Sequence, residues 1–222
     1  MPSRSSEVTE IATTVKTLLS RGASLEEVER LAGRCRACAL YQRATQTVFG
    51  EGPRGAPMML VGEQPGDRED LLGRPFVGPA GKLLDKALAE AGIARDDTYV
   101  TNAVKHFKWA ARGKRRIHEK PNGRERQACY PWLEAEIELV APTVLVCLGT
   151  TAAQSLLGSS FRLTLHRGEL LEGRSNVKLM ATIHPSALLR IEDRGERHEA
   201  FREFVGDLKR ASSYARRQRS TV

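Results

Sequence analysis

Hydrophobic positions along the chain switch between short continuous runs and helix-spaced stripes. Residues 58–61 (Met-Met-Leu-Val), 98–101 (Thr-Tyr-Val-Thr), 143–148 (Thr-Val-Leu-Val-Cys-Leu) and 178–183 (Lys-Leu-Met-Ala-Thr-Ile) are strand-length, and the most apolar suit strands covered on both faces. Ile11, Val15, Leu18 and Leu19 predict a helix over 7–19. Leu25, Val28 and Leu31 predict a second, opened by a Ser24-x-x-Glu27 capping box and ended by Gly33. Pro79 opens a third through Leu83, Leu84, Ala87 and Leu88, closed by Gly92. Further helices are expected over about 124–140, from Gly149 to Leu157, and over about 197–211.

Strands alternating with helices predict an α/β fold: a three-layer α/β/α domain around a central, mainly parallel four-stranded sheet. One domain over 1–222 is expected, with an N-terminal helical segment (1–34) and a flexible basic tail (209–222). In such sheets ligands bind beyond the carboxyl ends of the strands. Those ends carry Glu63, Asn102, Gly149 and His184.

Charge changes this picture most between positions 105 and 126. That run holds nine Lys or Arg against two acids, so it carries +7 of the chain's net +8, with His118 inside Lys114-Arg115-Arg116-Ile117-His118. Concentrated positive charge points to a polyanion, a nucleic acid or an anionic membrane. Gly113, Pro121, Asn122 and Gly123 leave no apolar helix face, so the run reads as a loop that binds nucleic acid. No apolar run approaches the ~20 residues of a membrane helix, and the first seven residues lack a signal-peptide core. A cytoplasmic location is therefore expected. Four cysteines there read as thiols or metal ligands rather than a disulfide framework.

Two local patterns stay open on their residues alone. Gly78-Pro79-Ala80-Gly81-Lys82 is not a phosphate loop, because Phe76 replaces its first Gly and Leu83 its Ser/Thr. Phe76 is then either a core aromatic or a platform for a base. Cys35-x-x-Cys38 suits zinc, a redox pair or chance. If it forms a four-ligand site, Cys129 fits better than Cys147, which lies inside an apolar strand, and His106 is available as the fourth.

Four motifs in order resemble the family-four uracil-DNA glycosylases. They are Gly62-Glu63-Gln64-Pro65-Gly66-Asp67, the stretch Gly73-Arg74-Pro75-Phe76-Val77-Gly78-Pro79-Ala80-Gly81, Thr101-Asn102-Ala103-Val104-Lys105, and His184-Pro185-Ser186-Ala187-Leu188-Leu189-Arg190. The chain departs from the common pattern at Gln64, at His106 and in the longer loop with His118. These departures together resemble the UdgX-type branch, which bonds covalently to DNA. The resemblance implies a [4Fe–4S] cluster on Cys35, Cys38, His106 and Cys129.

It also implies roles. Phe76 would stack on uracil, Asn102 would bind its edge, and His184 would bond the O2 that gains charge. Gln64 and Asp67 would shape the substrate site and hold the loop. Lys114, Arg115, Arg116, Ser186 and Arg190 would contact DNA. His118 would attack the sugar C1′, with Glu63 orienting it and taking its proton. An imidazole, with an ordinary pKa of about 6.5, is available as a nucleophile near neutral pH. The expected partners are uracil-containing DNA and free uracil, bound by a monomer. A conventional water-using glycosylase and a non-catalytic uracil-DNA sensor are the competing readings.

Overall fold

The computed structural model describes residues 4–173 and 177–219. Five strands form the main sheet: β1 (Met58–Gly62), β2 (Thr98–Asn102), β5 (Val144–Leu148), β6 (Leu170–Glu172) and β7 (Lys178–Thr182). Their order is β2-β1-β5-β7-β6. The first four run parallel and β6 pairs antiparallel on the edge of β7. The sheet thus has five strands rather than the four expected. Leu170-Leu171-Glu172 is too short, and too weakly alternating, to announce itself without β7 beside it.

β1 and β5 are buried at every position because helices cover both faces. One face carries α1 (Arg4–Ser20), α2 (Leu25–Ala32), α5 (Gly123–Val140) and α6 (Thr150–Leu157), whose Val15, Val28, Trp132 and Ala152 join one core. The other carries α4 (Pro79–Glu90), α8 (Pro185–Leu188) and α9 (Arg194–Arg219), with Leu84, Leu188, Phe204 and Leu208. The capping box of α2 forms as the sequence indicates, with Ser24 and Glu27 exchanging bonds.

Two further sequence expectations fail. The tail from 209 is not frayed: α9 runs to Arg219, because Leu208, Ala211 and Ala215 continue its buried stripe. Residues 220–222 and 1–3 lie outside the described residues. The basic run is not a loop either. It folds as an antiparallel hairpin of β3 (Trp109–Arg112) and β4 (Arg115–His118), turning on Gly113-Lys114. Gly113 has φ +59°, the left-handed conformation that two-residue hairpin turns require. Two short α-helices, α3 (Asp67–Leu72) and α7 (Leu163–His166), and two 3-10 turns, Ala39–Gln42 and Arg95–Asp97, complete the described elements. Among the described residues, no helix is long and apolar enough to cross a membrane.

Candidate active site

The carboxyl ends of β1, β2, β5 and β7 open onto one crevice of about 950 Å³. Its lining includes Glu63, Gln64, Asp67, Phe76, Asn102, His118, His184, Ser186 and Arg190. Residues spread over 128 positions of sequence therefore meet at one rim, together with Gly149 and Thr151 from the start of α6.

His184 follows β7 and is partly buried at the crevice wall. Its Nδ1 accepts the Ser186 backbone N–H at 3.1 Å, with the Ser186 hydroxyl at 2.8 Å. A nitrogen that accepts from an amide carries no proton, so the neutral ring bears its hydrogen on Nε2. Burial pulls its pKa down to about 4, with only partial opposition from Glu63. At neutral pH His184 is an uncharged donor.

Phe76 has φ +56°, a conformation rare for a bulky residue. Its ring lies 6.1 Å from that of His184 at 29°. A side chain at Gly62 would collide with both the Phe76 ring and the Asn102 carboxamide, so glycine at the end of β1 lets the two approach. Glu69 ties the surrounding turns together: its carboxylate accepts Gly66 N–H at 3.1 Å and Gly78 N–H at 2.8 Å.

The hairpin closes over the other side. Side chains on a strand alternate between faces, so Arg116 and His118 of β4 share one face and Arg115 and Ile117 the other. Arg116 points at the body. It bonds Asp67 and Asp70, each at 2.6 Å, and lies over the rings of Phe107 and Trp109. Burial works against its charge, but the two carboxylates outweigh that and raise its pKa. The clasp ties Arg116 to the body of the protein, whereas Lys114 and Arg115 are exposed. Lys105 and Lys108 are also paired within the protein, with Glu136 and Glu125. Gln64 holds both ends of the hairpin: its amide nitrogen bonds the Lys108 and Glu119 carbonyls at 3.1 Å, and its oxygen accepts Lys108 N–H at 3.1 Å.

So held, His118 places Nε2 at 3.2 Å from Glu63 Oε1. The other Glu63 oxygen accepts the Thr151 hydroxyl. Burial pushes the Glu63 carboxyl up, but the bonds from His118 and Thr151 outweigh it and leave the pKa lowered. The site thus combines a carboxylate ionised at neutral pH, an imidazole against it, and a neutral imidazole donor across the crevice.

Cys147 is buried in β5, and burial lifts its thiol to about 12. Cys129 is lifted likewise, first by burial and then by the neighbouring Cys38, while Cys35 adds to it. Its sulfur accepts Lys105 N–H at 3.3 Å, and Cys35 Sγ accepts the Trp132 indole N–H at 3.3 Å. His106 lies beside Thr47, whose hydroxyl proton goes to Ala32 O at 3.1 Å. Thr47 Oγ1 must then accept from His106 Nε2 at 3.0 Å. That leaves His106 Nδ1 as a bare lone pair, buried without a partner. Burial pulls this ring to about 4, so it stays neutral, the form that ligates metal. Among the described residues no three His, Cys, Asp or Glu side chains are grouped to hold a metal ion.

The pattern of the Uracil DNA glycosylase superfamily matches residues 49–209. The chain belongs to that superfamily. It is 35% identical over 202 residues to the type-4 uracil-DNA glycosylase of Thermotoga maritima, covering 90% of this chain and 100% of that protein. The type-4 enzyme of Archaeoglobus fulgidus is 35% identical over 83% of this chain and 93% of its own. That of Pyrobaculum aerophilum is 36% identical over 75% and 85%.

Within this superfamily frame, sequence reading missed Thr151 and Glu69. Thr151 carries a usable signal, since it stands two residues past Gly149 at the end of β5, where the other strand ends already pointed. Glu69 carries part of one, since it stands at the capping-box position three residues past Gly66, but its bond to Gly78, nine positions on, has no local signal.

Proposed function

We propose that the protein excises uracil from DNA and ends covalently joined, through His118, to C1′ of the sugar. The observation that carries this reading is the Nε2–Oε1 contact of 3.2 Å between His118 and Glu63 at the crevice rim. Superfamily membership supports the excision step.

A glycosylase must take its base out of the stack and read it by its polar edge. Phe76 provides the stacking face, and Asn102 faces the base edge. The C1′–N1 bond breaks with its electron pair leaving on uracil. His184 Nε2–H bonds the O2 that gains this charge, from a ring that costs no proton transfer. The sugar left behind is an oxocarbenium-like cation, which ionised Glu63 stabilises. One imidazole nitrogen of His118 donates its lone pair to C1′. The resulting imidazolium passes its N–H proton to Glu63, and the uracil anion takes a proton from solvent. Ser186 and Arg190, lining the crevice, meet the strand's phosphates.

Cys35, Cys38, His106 and Cys129 would hold a [4Fe–4S] cluster. The bare His106 Nδ1, the N–H bonds onto Cys129 and Cys35 sulfurs, and the mutual influence of the thiols fit such a group. When bound, it supplies iron–thiolate and iron–imidazole bonds that tie residues 35–38 to α5 and to the chain entering the hairpin.

A denaturing gel with a uracil-containing single strand tests the reading. A protein–DNA band that survives detergent and heat is expected. Free abasic strand would instead favour water as the acceptor, and unaltered DNA a non-catalytic sensor.

Two predictions concern the charges. Arg115→Ala should flatten the log–log salt dependence of single-strand binding by about 0.7, the contribution of one phosphate contact. Arg116→Ala should leave that slope unchanged but lower the stability of the fold by about 1–3 kcal/mol, because it removes the charged partner of buried Asp70 and leaves that carboxylate with only the Thr45 N–H and hydroxyl. Equal slopes for both variants would contradict the face assignment.

The pH dependence follows from His184, whose folded pKa lies below its ordinary value. The working neutral form is therefore present above about pH 4 and is lost only as pH falls through that value. In a His118→Ser background, uracil release should hold within about twofold from pH 8 to about pH 5.5. A loss centred near pH 6.5 would show His184 titrating as an exposed imidazole.

A further inference from the structure

Behind Asn102 lies a charged network to which the site chemistry assigns no part. Lys105 and Glu136 form an ion pair that is 1% and 0% exposed. All three ammonium protons are used: on Glu136, on Thr101 Oγ1 at 2.6 Å and on the backbone oxygen of Asn102 at 2.8 Å. Glu136 in turn accepts from the Thr101 hydroxyl at 2.9 Å, the Tyr99 hydroxyl at 3.1 Å and Gly50 N–H at 2.8 Å. No donor or acceptor of the pair is left over.

Such a pair is a poor way to gain stability. Taking two ions out of water costs several kcal/mol each, and well-packed apolar side chains of similar volume usually do as well or better. What a fully bonded pair supplies is geometry. Here the geometry concerns the end of β2. Asn102 pairs with Gly62, and the chain then turns: Ala103 N–H bonds Gly62 O at 2.9 Å and Val104 N–H bonds Glu63 O at 3.0 Å. The Lys105 ammonium folds back across this turn onto the Asn102 carbonyl. It thereby fixes the peptide plane that follows Asn102, and with it the direction in which the carboxamide leaves the backbone.

The same residue reaches the thiols. Lys105 N–H donates to Cys129 Sγ, and α5 carries Cys129 and Glu136 seven positions, two helical turns, apart on one face. The backbone oxygen of Lys105 accepts Val48 N–H at 2.8 Å, so the residue is held on every side. Lys105 thus joins Asn102 to α5 through its ammonium and through its amide.

We infer that Lys105 and Glu136 are positioning residues for base reading: their buried pair aims Asn102 at the flipped base and makes that aim depend on the docking of α5. This rests on the base-reading role of Asn102. It does not depend on whether water or His118 captures the sugar.

The test measures release of labelled uracil under enzyme excess, which scores base loss whatever becomes of the sugar. Beside it runs affinity for the same strand carrying a tetrahydrofuran abasic analogue, which has no base to read. Lys105→Met and Glu136→Gln should each slow uracil release about 10- to 100-fold, with analogue affinity within about twofold of the parent. The double variant should be no slower than the slower single one, as expected for two ends of one contact. Thr101→Val keeps the shape of β2 while removing the hydroxyl between the two charges. It should slow release about three- to tenfold even if the charge variants fold poorly. Folded variants that release uracil at the parental rate would overturn the inference. So would variants that lose affinity for the abasic analogue as much as they lose release rate, since that marks general damage. If the parent itself releases no uracil, it is the glycosylase reading that has failed.

Discussion

His118→Ser removes the detergent-resistant protein–DNA band and leaves uracil excision in place, with the abasic strand now released. This outcome follows from the division of labour across the crevice. Departure of the base is assisted by Phe76, Asn102 and His184, none of which touches the hairpin's histidine through a bond. His118 enters only when the cation has formed. Serine at 118 neither fills the position beside Glu63 nor carries a comparable nucleophile, so water takes the vacated place against an ionised carboxylate. Uracil release under enzyme excess should fall less than about tenfold, while adduct yield falls at least about 100-fold. A gel quantifying adduct and alkali-cleaved abasic strand in one lane reads both. Loss of both together would mean that His118 acts before the bond breaks.

His184→Ala should cost about 100- to 1,000-fold in uracil release under enzyme excess, about 3–4 kcal/mol, the usual effect of deleting one aimed donor to a developing anion. The ring is pre-set for this: Ser186 N–H holds Nδ1, burial holds the ring neutral, and Nε2–H is left to the crevice. Affinity for abasic strand should change less than about threefold, because the donor faces the base. A loss below about fivefold would place the charge stabilisation elsewhere, with Asn102 the next donor in reach.

The parallel core was legible in the sequence because its signal is local. Met58–Gly62 and Val144–Leu148 are apolar at nearly every position, and each is buried at every position. The rim followed from the same strands, since the residues that end them are the ones that meet in the crevice. The hairpin was not legible. Its inward positions hold Arg116 and His118, and an inward arginine makes sense only once Asp67 and Asp70, 49 and 46 positions away, stand opposite it. Read by itself, the run is a line of charge broken by Gly113. Part of that charge is internal: Lys105, Lys108 and Arg116 face carboxylates, which leaves less for DNA than the sequence total suggests. Glu136 was equally hidden, an acid in the middle of α5 whose partners come from β2, Gly50 and the turn after Asn102.

These contacts change the meaning of His118. It is a strand residue on a pinned hairpin, held by Gln64 at both ends of the hairpin and by the Arg116 clasp two positions before it. A nucleophile that must capture a short-lived cation gains from being placed before the reaction. The hairpin provides that placement.

Peptide-level mass spectrometry of the nuclease-digested, protease-digested adduct locates the residue joined to the sugar. A peptide containing His118 that carries the mass of the deoxyribose remnant is expected, with fragment ions placing it on the imidazole. The same remnant on a lysine, on Glu63 or on no peptide at all would contradict attachment through His118.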